Sequence, residues 1–532
     1  MPKPLHFLLH QVKAAVLPRY SAALLAYTAP LFTRMQTLSR HCCRIATVFV
    51  AAAALFLAES ACLPSPALAA QPAGRLPSVV RDALVAAKIP AEAVSVWVQD
   101  VDAKQPALAF NAALPMNPAS VMKIVTSFAA LELLGPERVW TTRIAANGPI
   151  RENGSLAGNL YLVGDGDPVL TYERAWRLLR RLRGMGVSVI EGDIVLDHSA
   201  LVLPPHDPSA FDGKGLRPYN TTGDGLLIHF NTQDLALFPG AQERDAVKVV
   251  VEPPLAGVAI DNQIVTSGKP CSIWYRDLEA RIGENGHLVL SGSLPASCGP
   301  RLWATAPLAP PDYSAAMVRA LWQELGGRVR GQVKNGAMSP ETPILISDAS
   351  PPLAEIVRTM NKWSNNIIAR QLLAQVGRAD FIAAFSGGFS PADMVATGIE
   401  ATKQSLAKAG IETSGLVIEN GSGLSRQARV RADTLGTLLV MVWRRPWMPE
   451  FIASLPVAGR DGTAYRRLET SPARGYAHLK TGTINDVSSV AGYVLGQNGR
   501  RYAVVMTVNH PNAGSSRKAQ DALVEWVWAG AR

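Results

Sequence analysis

Asn117-Pro118-Ala119-Ser120-Val121-Met122-Lys123 leads into Ile124, Val125 and Phe128 and on to Leu134, where Gly135-Pro136 stops the run. Asn can accept from the unpaired N–H groups of a helix start. Pro is favoured at the first helical position, where its missing N–H would have no partner anyway. The stretch therefore predicts a helix opened by Asn117 and buried along its apolar length. The i, i+3 spacing puts Ser120 and Lys123 on one face of its first turn. A Ser hydroxyl is a poor nucleophile until a base takes its proton. A Lys amine can be that base if burial and nearby cations lower its pKa, and a helix N-terminus favours developing negative charge. The same S-x-x-K spacing recurs at Ser405 and Lys408 and at Ser515 and Lys518, but only the first is followed by an apolar helix that would bury it.

Upstream, residues 94–100 (VSVWVQD) and 107–111 alternate around Lys104-Gln105-Pro106 and predict a β-hairpin. Beyond Pro136 about 200 residues change texture, with short strand-like runs at 160–163, 247–252 and 288–291 among many Pro and Gly. In a helix expected at 172–183, Arg174, Arg177, Arg180, Arg181 and Arg183 are interleaved with Trp176, Leu178, Leu179 and Leu182. That pattern predicts an apolar side on the core and a solvated basic face. The chain turns helical again from about Leu353 and at 433–443. It closes with strand-like runs at 476–481, 487–495 and 502–508 and a helix at 518–528.

Two further motifs carry chemistry. Ser364-Asn365-Asn366 follows Lys362-Trp363, and S-x-N occurs nowhere else in the chain. A second Ser can relay a proton between the amine and a leaving group, and an Asn can hydrogen-bond both the Lys and a substrate carbonyl. Read alone, the motif could equally be a Ser capping the next helix. Lys480-Thr481-Gly482-Thr483 ends a strand in a tight hairpin. There a Lys and a Thr hydroxyl can hold a carboxylate, and Gly lets a backbone approach closely. Alone, it is an ordinary strand end.

Of 532 residues 48% are hydrophobic and 18% charged, which excludes global disorder. No apolar run reaches the roughly 18 residues of a membrane span. The net charge of +10 is uneven: residues 1–69 hold six Lys or Arg against Glu59 alone, leaving +5 for the remainder. So small a surplus does not call for nucleic acid. The segment 1–69 reads as a cleavable signal, with Arg40 and Arg44 before the apolar run 45–58 and Ala67-Leu68-Ala69 as the cleavage site. The alternative is an uncleaved anchor, and Met35 is a second candidate start. Glu59 disfavours Cys62 as a lipidation site. Cys42, Cys43 and Cys62 leave with the leader, so Cys271 and Cys298 form either one disulfide or two free buried thiols. Neither Cys has a metal spacing and no H-E-x-x-H appears, so no metal is expected, and nothing calls for a cofactor.

S-x-x-K, S-x-N and K-T-G in this order, in an exported chain, resemble the motif set of the penicillin-recognising serine acyl-enzymes. About 240 residues separate Ser120 from Ser364, far more than in a β-lactamase. That spacing resembles the D-alanyl-D-alanine carboxypeptidase/endopeptidase family, the low-molecular-mass class C penicillin-binding proteins. Gly164-Asp165-Gly166-Asp167-Pro168, the stretch from Asn420 to Arg426, and the stretch from Leu455-Pro456 to Asp461-Gly462-Thr463 look like that family too. Asn365 stands where many of its members carry Asp.

The resemblance implies an α/β (α+β) fold. A transpeptidase-like domain at 70–146 and 344–532 would have an antiparallel five-stranded sheet and a helical subdomain. A second domain would lie at 147–170 and 245–343, holding the Cys pair, with a third nested at 171–244. The implied substrate is a D-Ala-D-Ala or cross-linked peptidoglycan stem peptide. Ser120 would be the nucleophile, Lys123 the base and Ser364 the proton relay. Asn366, Lys480, Thr481 and Thr483 would orient substrate beside Gly482, and the N–H groups of Ser120 and Thr483 would form the oxyanion hole. β-Lactams would inhibit by acylating Ser120. The mature enzyme would be periplasmic, either free or resting on the membrane surface. A β-lactamase or esterase, or a catalytically dead peptidoglycan-binding protein, are the competing readings.

Overall fold

In the computed structural model, residues 74–384 and 393–531 are described; the leader expected at 1–69 lies outside them. The strand Val94–Asp100 pairs antiparallel with Arg501–Asn509 on one side and with Leu108–Phe110 on the other, so the expected hairpin is present. Ala477–Ile484 and Val487–Leu495 complete a five-stranded antiparallel sheet. Ala477–Ile484, which carries Lys480, is an edge strand.

Both faces of this sheet are covered. Val94, Val96, Val98, Val504 and Met506 pack on Val80, Leu84 and Leu523 from the helices Ser78–Ala86 and Arg517–Trp528. Trp97, Ala491, Tyr493 and Val505 face Phe128, Leu435 and Leu439. All seven residues of VSVWVQD are therefore buried. Its polar members need partners there: Ser95 Oγ donates to the Asn111 carbonyl and Gln99 Nε2 to that of Ala103.

The helix Lys123–Leu134 is buried without interruption from Lys123 to Leu131. It shares a core with residues of Leu353–Trp363, Asn366–Ala384 and Ala432–Val442. An apolar run of this kind needs neighbours all round. Among the described residues no helix is long and apolar enough to cross a membrane.

The long insertion enters along Thr141–Ala146 and leaves along Ile344–Ala349, two strands paired antiparallel. They belong to a second five-stranded sheet with Leu160–Val163, Ile194–Asp197 and Val333–Asn335. The helices Tyr172–Gly184 and Pro310–Glu324 close its core through Leu178, Leu182, Met317 and Trp322. A separate core forms between two three-stranded sheets spanning 233–305, through Leu235, Ile264, Leu290 and Trp303.

The packing does not follow the expected split at 171 and 245. Residues 172–197 belong with the outer unit, and 233–305 form the nested one. The cause is pairing at a distance: Leu160–Val163 bonds Ile194–Asp197, and Gln233–Phe238 bonds Arg301–Thr305. Cys271 and Cys298 are disulfide-bonded, within the nested unit.

The basic face of Tyr172–Gly184 departs from expectation at two of its five arginines. Arg174 is only 12% exposed and bridges Asp167 at 2.6 Å and Asp348 at 2.7 Å. Arg177 takes the other oxygen of Asp348, and Arg183 donates to the carbonyls of Leu325 and Val187. Arg174 and Arg183 are therefore tied down, while Arg177, Arg180 and Arg181 are exposed.

Candidate active site

Asn117 anchors the turn that carries Ser120. Its Oδ1 accepts from Ala119 N at 2.9 Å and its Nδ2 donates to the Ser425 carbonyl. Asn509, at the end of a central strand, pairs with both backbone groups of Asn117. Ala119 is held at φ +45°, a left-handed conformation that costs a non-glycine residue energy and persists only where surrounding contacts enforce it. The chain from Ala119 to Met122 is a 3₁₀ turn and the α-helix starts at Lys123, not the α-helical first turn expected. In a 3₁₀ turn residues i and i+3 eclipse. Ser120 Oγ accordingly lies 3.1 Å from Lys123 Nζ.

Lys123 is fully buried. Its Nζ donates to Asn366 Oδ1 at 2.7 Å and to the Ser422 carbonyl at 2.6 Å. Burial holds its pKa well below the usual lysine value, and the charges of Lys480 and Arg370 add to the effect. A neutral amine has two N–H bonds and one lone pair. With both N–H groups taken, the lone pair is left for the Ser120 hydroxyl.

Ser364 sits at the end of Leu353–Trp363 with φ +57°, which turns its side chain back toward the sheet. Lys480 Nζ donates to Ser364 Oγ at 2.9 Å and to the Thr481 carbonyl at 2.6 Å. Lys480 is also fully buried, and burial brings its pKa down to about 7. Thr481 Oγ1 lies 3.0 Å from Thr463 Oγ1, and Thr483 is exposed on the strand edge. Gly482 packs so tightly on the turn of Ser120 that a Cβ there would lie 2.8 Å from Ser120 N and 2.6 Å from the Pro118 carbonyl. Hydrogen bonds thus join Ser120, Lys123 and Asn366 in one set and Ser364 and Lys480 in another, the charge of Lys480 acting on Lys123 between them, with Thr481, Gly482 and Thr483 on the strand of Lys480. Cys271 and Cys298 take no part.

Several contributors carry no side-chain signal in the sequence. The Ser422 carbonyl reaches Lys123 because Asn420 Oδ1 accepts from Ser422 N and Oγ. Gly423, at φ +76°, lies against Ala119 and leaves no room for a side chain. The insertion contributes too: Asn366 Nδ2 donates to the Tyr219 carbonyl at 3.2 Å. Behind Ser364, the ammonium of Lys362 donates to the Leu455 carbonyl and to Asp461.

Residues 78–529 match the family described as D-Ala-D-Ala carboxypeptidase 3 (S13). The chain belongs to that family. Every residue of the cluster lies inside the matched span, and membership makes the chain a serine-type D-Ala-D-Ala carboxypeptidase. Among S13 and related proteins it is similar to the D-alanyl-D-alanine carboxypeptidase of Actinomadura sp. (strain R39), 32% identical over 427 residues, 76% of each chain. It is 27% identical to D-alanyl-D-alanine carboxypeptidase DacB of Haemophilus influenzae over 78% of this chain and 86% of that one. The crystal structure of penicillin binding protein 4 (dacB) from Haemophilus influenzae superposes with a TM-score of 0.70 at 26% identity, covering 84% of this chain and 99% of that one. A second structure of that protein, complexed with a β-lactam, gives a TM-score of 0.65 at 25% identity and the same coverages.

Proposed function

We propose that Ser120 and Lys123 carry out acyl transfer on D-Ala-D-Ala stem peptides of peptidoglycan, in the periplasm, after removal of the leader. The observation that carries the reading is the saturated donor set of buried Lys123, which leaves its lone pair to Ser120. Lys123 takes the hydroxyl proton as Ser120 Oγ bonds to the carbonyl carbon. The oxyanion forms against the N–H groups of Ser120 and Thr483, donors worth about 3–4 kcal/mol each in comparable sites. The C–N bond then breaks, and the leaving amine takes a proton relayed through Ser364, which Lys480 orients. Water attacks the ester carbon, giving a proton to Lys123, and as the C–O bond to Ser120 breaks Lys123 returns that proton to Ser120 Oγ. Lys480 and the Thr481 and Thr483 hydroxyls receive the terminal carboxylate.

A cleft of about 1650 Å³ continues from Asn485, in the turn after Thr483, past Tyr219 to Tyr275 and Trp303. It offers room for a second peptide arm, which supports endopeptidase action on cross-linked peptides beside carboxypeptidase action. A β-lactam offers the same carbonyl to Ser120, and its ester would hydrolyse slowly. The test is intact mass after exposure to a labelled penicillin. Wild type should gain one adduct and Ser120→Ala none. An adduct that survives in Ser120→Ala would overturn the nucleophile assignment.

A further inference from the structure

The two ends of a carboxamide have the same shape but opposite hydrogen-bonding character: Oδ1 only accepts and Nδ2 only donates. Which end of Asn366 faces Lys123 therefore decides where the base's lone pair points. With Oδ1 toward Lys123, the amine spends an N–H on Asn366 and keeps its lone pair for Ser120 Oγ. With Nδ2 there instead, the amide N–H would occupy that lone pair and the base would be blocked.

What meets the other end of Asn366 is a backbone carbonyl, that of Tyr219, which can only accept. It lies on the insertion, 147 residues earlier in the chain. The segment from Tyr219 to Asp224 is clamped to the helix Asn366–Ala384 at two further points. Arg370, one turn beyond Asn366 and 8% exposed, donates to the Thr221 carbonyl. Gln371, fully buried, accepts from Asp224 N at 2.9 Å and donates to the Asp224 carbonyl at 2.6 Å. On its outer side the segment is braced by Asp212, which accepts from Tyr219 Oη and Asn220 Nδ2, both at 2.8 Å.

We propose that the inserted segment 219–224 is a positioning element of the active site: its Tyr219 carbonyl, held in place by Arg370, Gln371 and Asp212, fixes the orientation of the Asn366 carboxamide and thereby aims the lone pair of Lys123 at Ser120. This inference rests on the acyl-transfer reading above. It makes the insertion part of the catalytic apparatus although none of its side chains reaches the reacting atoms. Gln371 and Asp212 act through Asn366 and are positioning residues.

The test compares full-length wild type, Gln371→Met, Asp212→Ala and the double variant Cys271→Ser/Cys298→Ser. Each is acylated by a saturating fluorescent penicillin, reading both the rate per reactive site and the labelled fraction, and is then assayed for kcat and KM on a D-Ala-D-Ala peptide. Asp212 is exposed, so its variant keeps the test valid should Gln371→Met fail to fold. The expected result is full labelling of Gln371→Met and Asp212→Ala at a rate lowered about tenfold, the equivalent of one net hydrogen bond of about 1.4 kcal/mol. In both, kcat should fall at unchanged KM. The cysteine variant, which loosens the nested strands alone, should label at the wild-type rate. A merely structural role would lower the labelled fraction and leave the rate per site intact, and that outcome overturns the proposal. So does a raised KM at normal kcat, which would make the segment a substrate contact. Wild type that takes no label at all would refute the acyl-transfer reading itself, a result distinct from labelled wild type with unaffected variants.

Discussion

Replacing Gly482 by Ala adds one methyl group at the narrowest point of the site. The added carbon would stand 2.5 Å from Ser489 Oγ, 2.6 Å from the Pro118 carbonyl and 2.8 Å from Ser120 N. Non-bonded carbon needs about 3.5 Å, so the strand and the nucleophile's turn must part by about 0.9 Å. Neither side yields cheaply, because the obstructing atoms at 2.6 and 2.8 Å belong to backbone. The turn is pinned by Asn117 and Asn509 and the strand is paired along its length with Val487–Leu495. Two effects follow. Overpacking of this kind costs about 1–3 kcal/mol of stability. The separation also carries the N–H of Ser120 away from that of Thr483, and a misplacement near 1 Å can cost about 100-fold in rate. Acylation of Gly482→Ala by a fluorescent penicillin should therefore be slower than wild type by about two orders of magnitude, in protein whose thermal transition is lowered but still cooperative. Acylation within about threefold of wild type, with an unchanged transition, would refute the close apposition of strand and turn.

The fall of the Lys480 pKa to about 7 predicts that kcat/KM for a peptide ending in a free carboxylate declines as pH rises past 7. The same peptide with an amidated terminus should not share that decline, and parallel pH profiles decide it. The same group sets a stability slope. Its folded pKa lies below the unfolded value of about 10.4, so between pH 7 and 10.4 the unfolded chain binds the extra proton and stability increases with pH. Lys480→Met should flatten that part of the urea-midpoint profile. Asp348→Ala removes a buried carboxylate shared by Arg174 and Arg177 and should cost about 3 kcal/mol in urea unfolding, with active-site titration at one label per folded chain. Reducing Cys271–Cys298, which closes a separation of 27 residues, should destabilise the nested strands by about 3–4 kcal/mol, readable as earlier hydrogen exchange in Leu288–Pro295, with penicillin acylation unchanged.

What the sequence made legible was local. The 94–110 hairpin, the three closing strands and the apolar helix after Lys123 each carry their own period and punctuation, and each is where its residues predicted. The three motifs were individually ordinary, and only their order pointed to one site. What stayed hidden was non-local. Strands such as Ser155–Leu156, Val189–Ile190 and Arg328–Val329 have two residues each, too few to show any alternation, so the nesting of the insertion could not be read from them. Arg174 looks like a surface arginine until Asp348, 174 residues on, meets it. The carbonyls of Ser422 and Tyr219 shape the base through backbone atoms every residue possesses, so no residue type marks them.

The order of strands in the catalytic sheet has a consequence in time. Val94 pairs with Val508, so among the described residues the earliest-made strand of this sheet lies beside the latest-made. At about 5–20 residues per second, the intervening stretch takes roughly 20–80 s to synthesise. For most of that interval Ser120 exists without the strand that carries Lys480, and Asn117 without the Asn509 that pins its turn. A truncated chain, however well its insertion folds, lacks the closing strands and with them the assembled site. The site is thus assembled only once Ala477–Ile484 and Arg501–Asn509 have joined the sheet begun by Val94–Asp100.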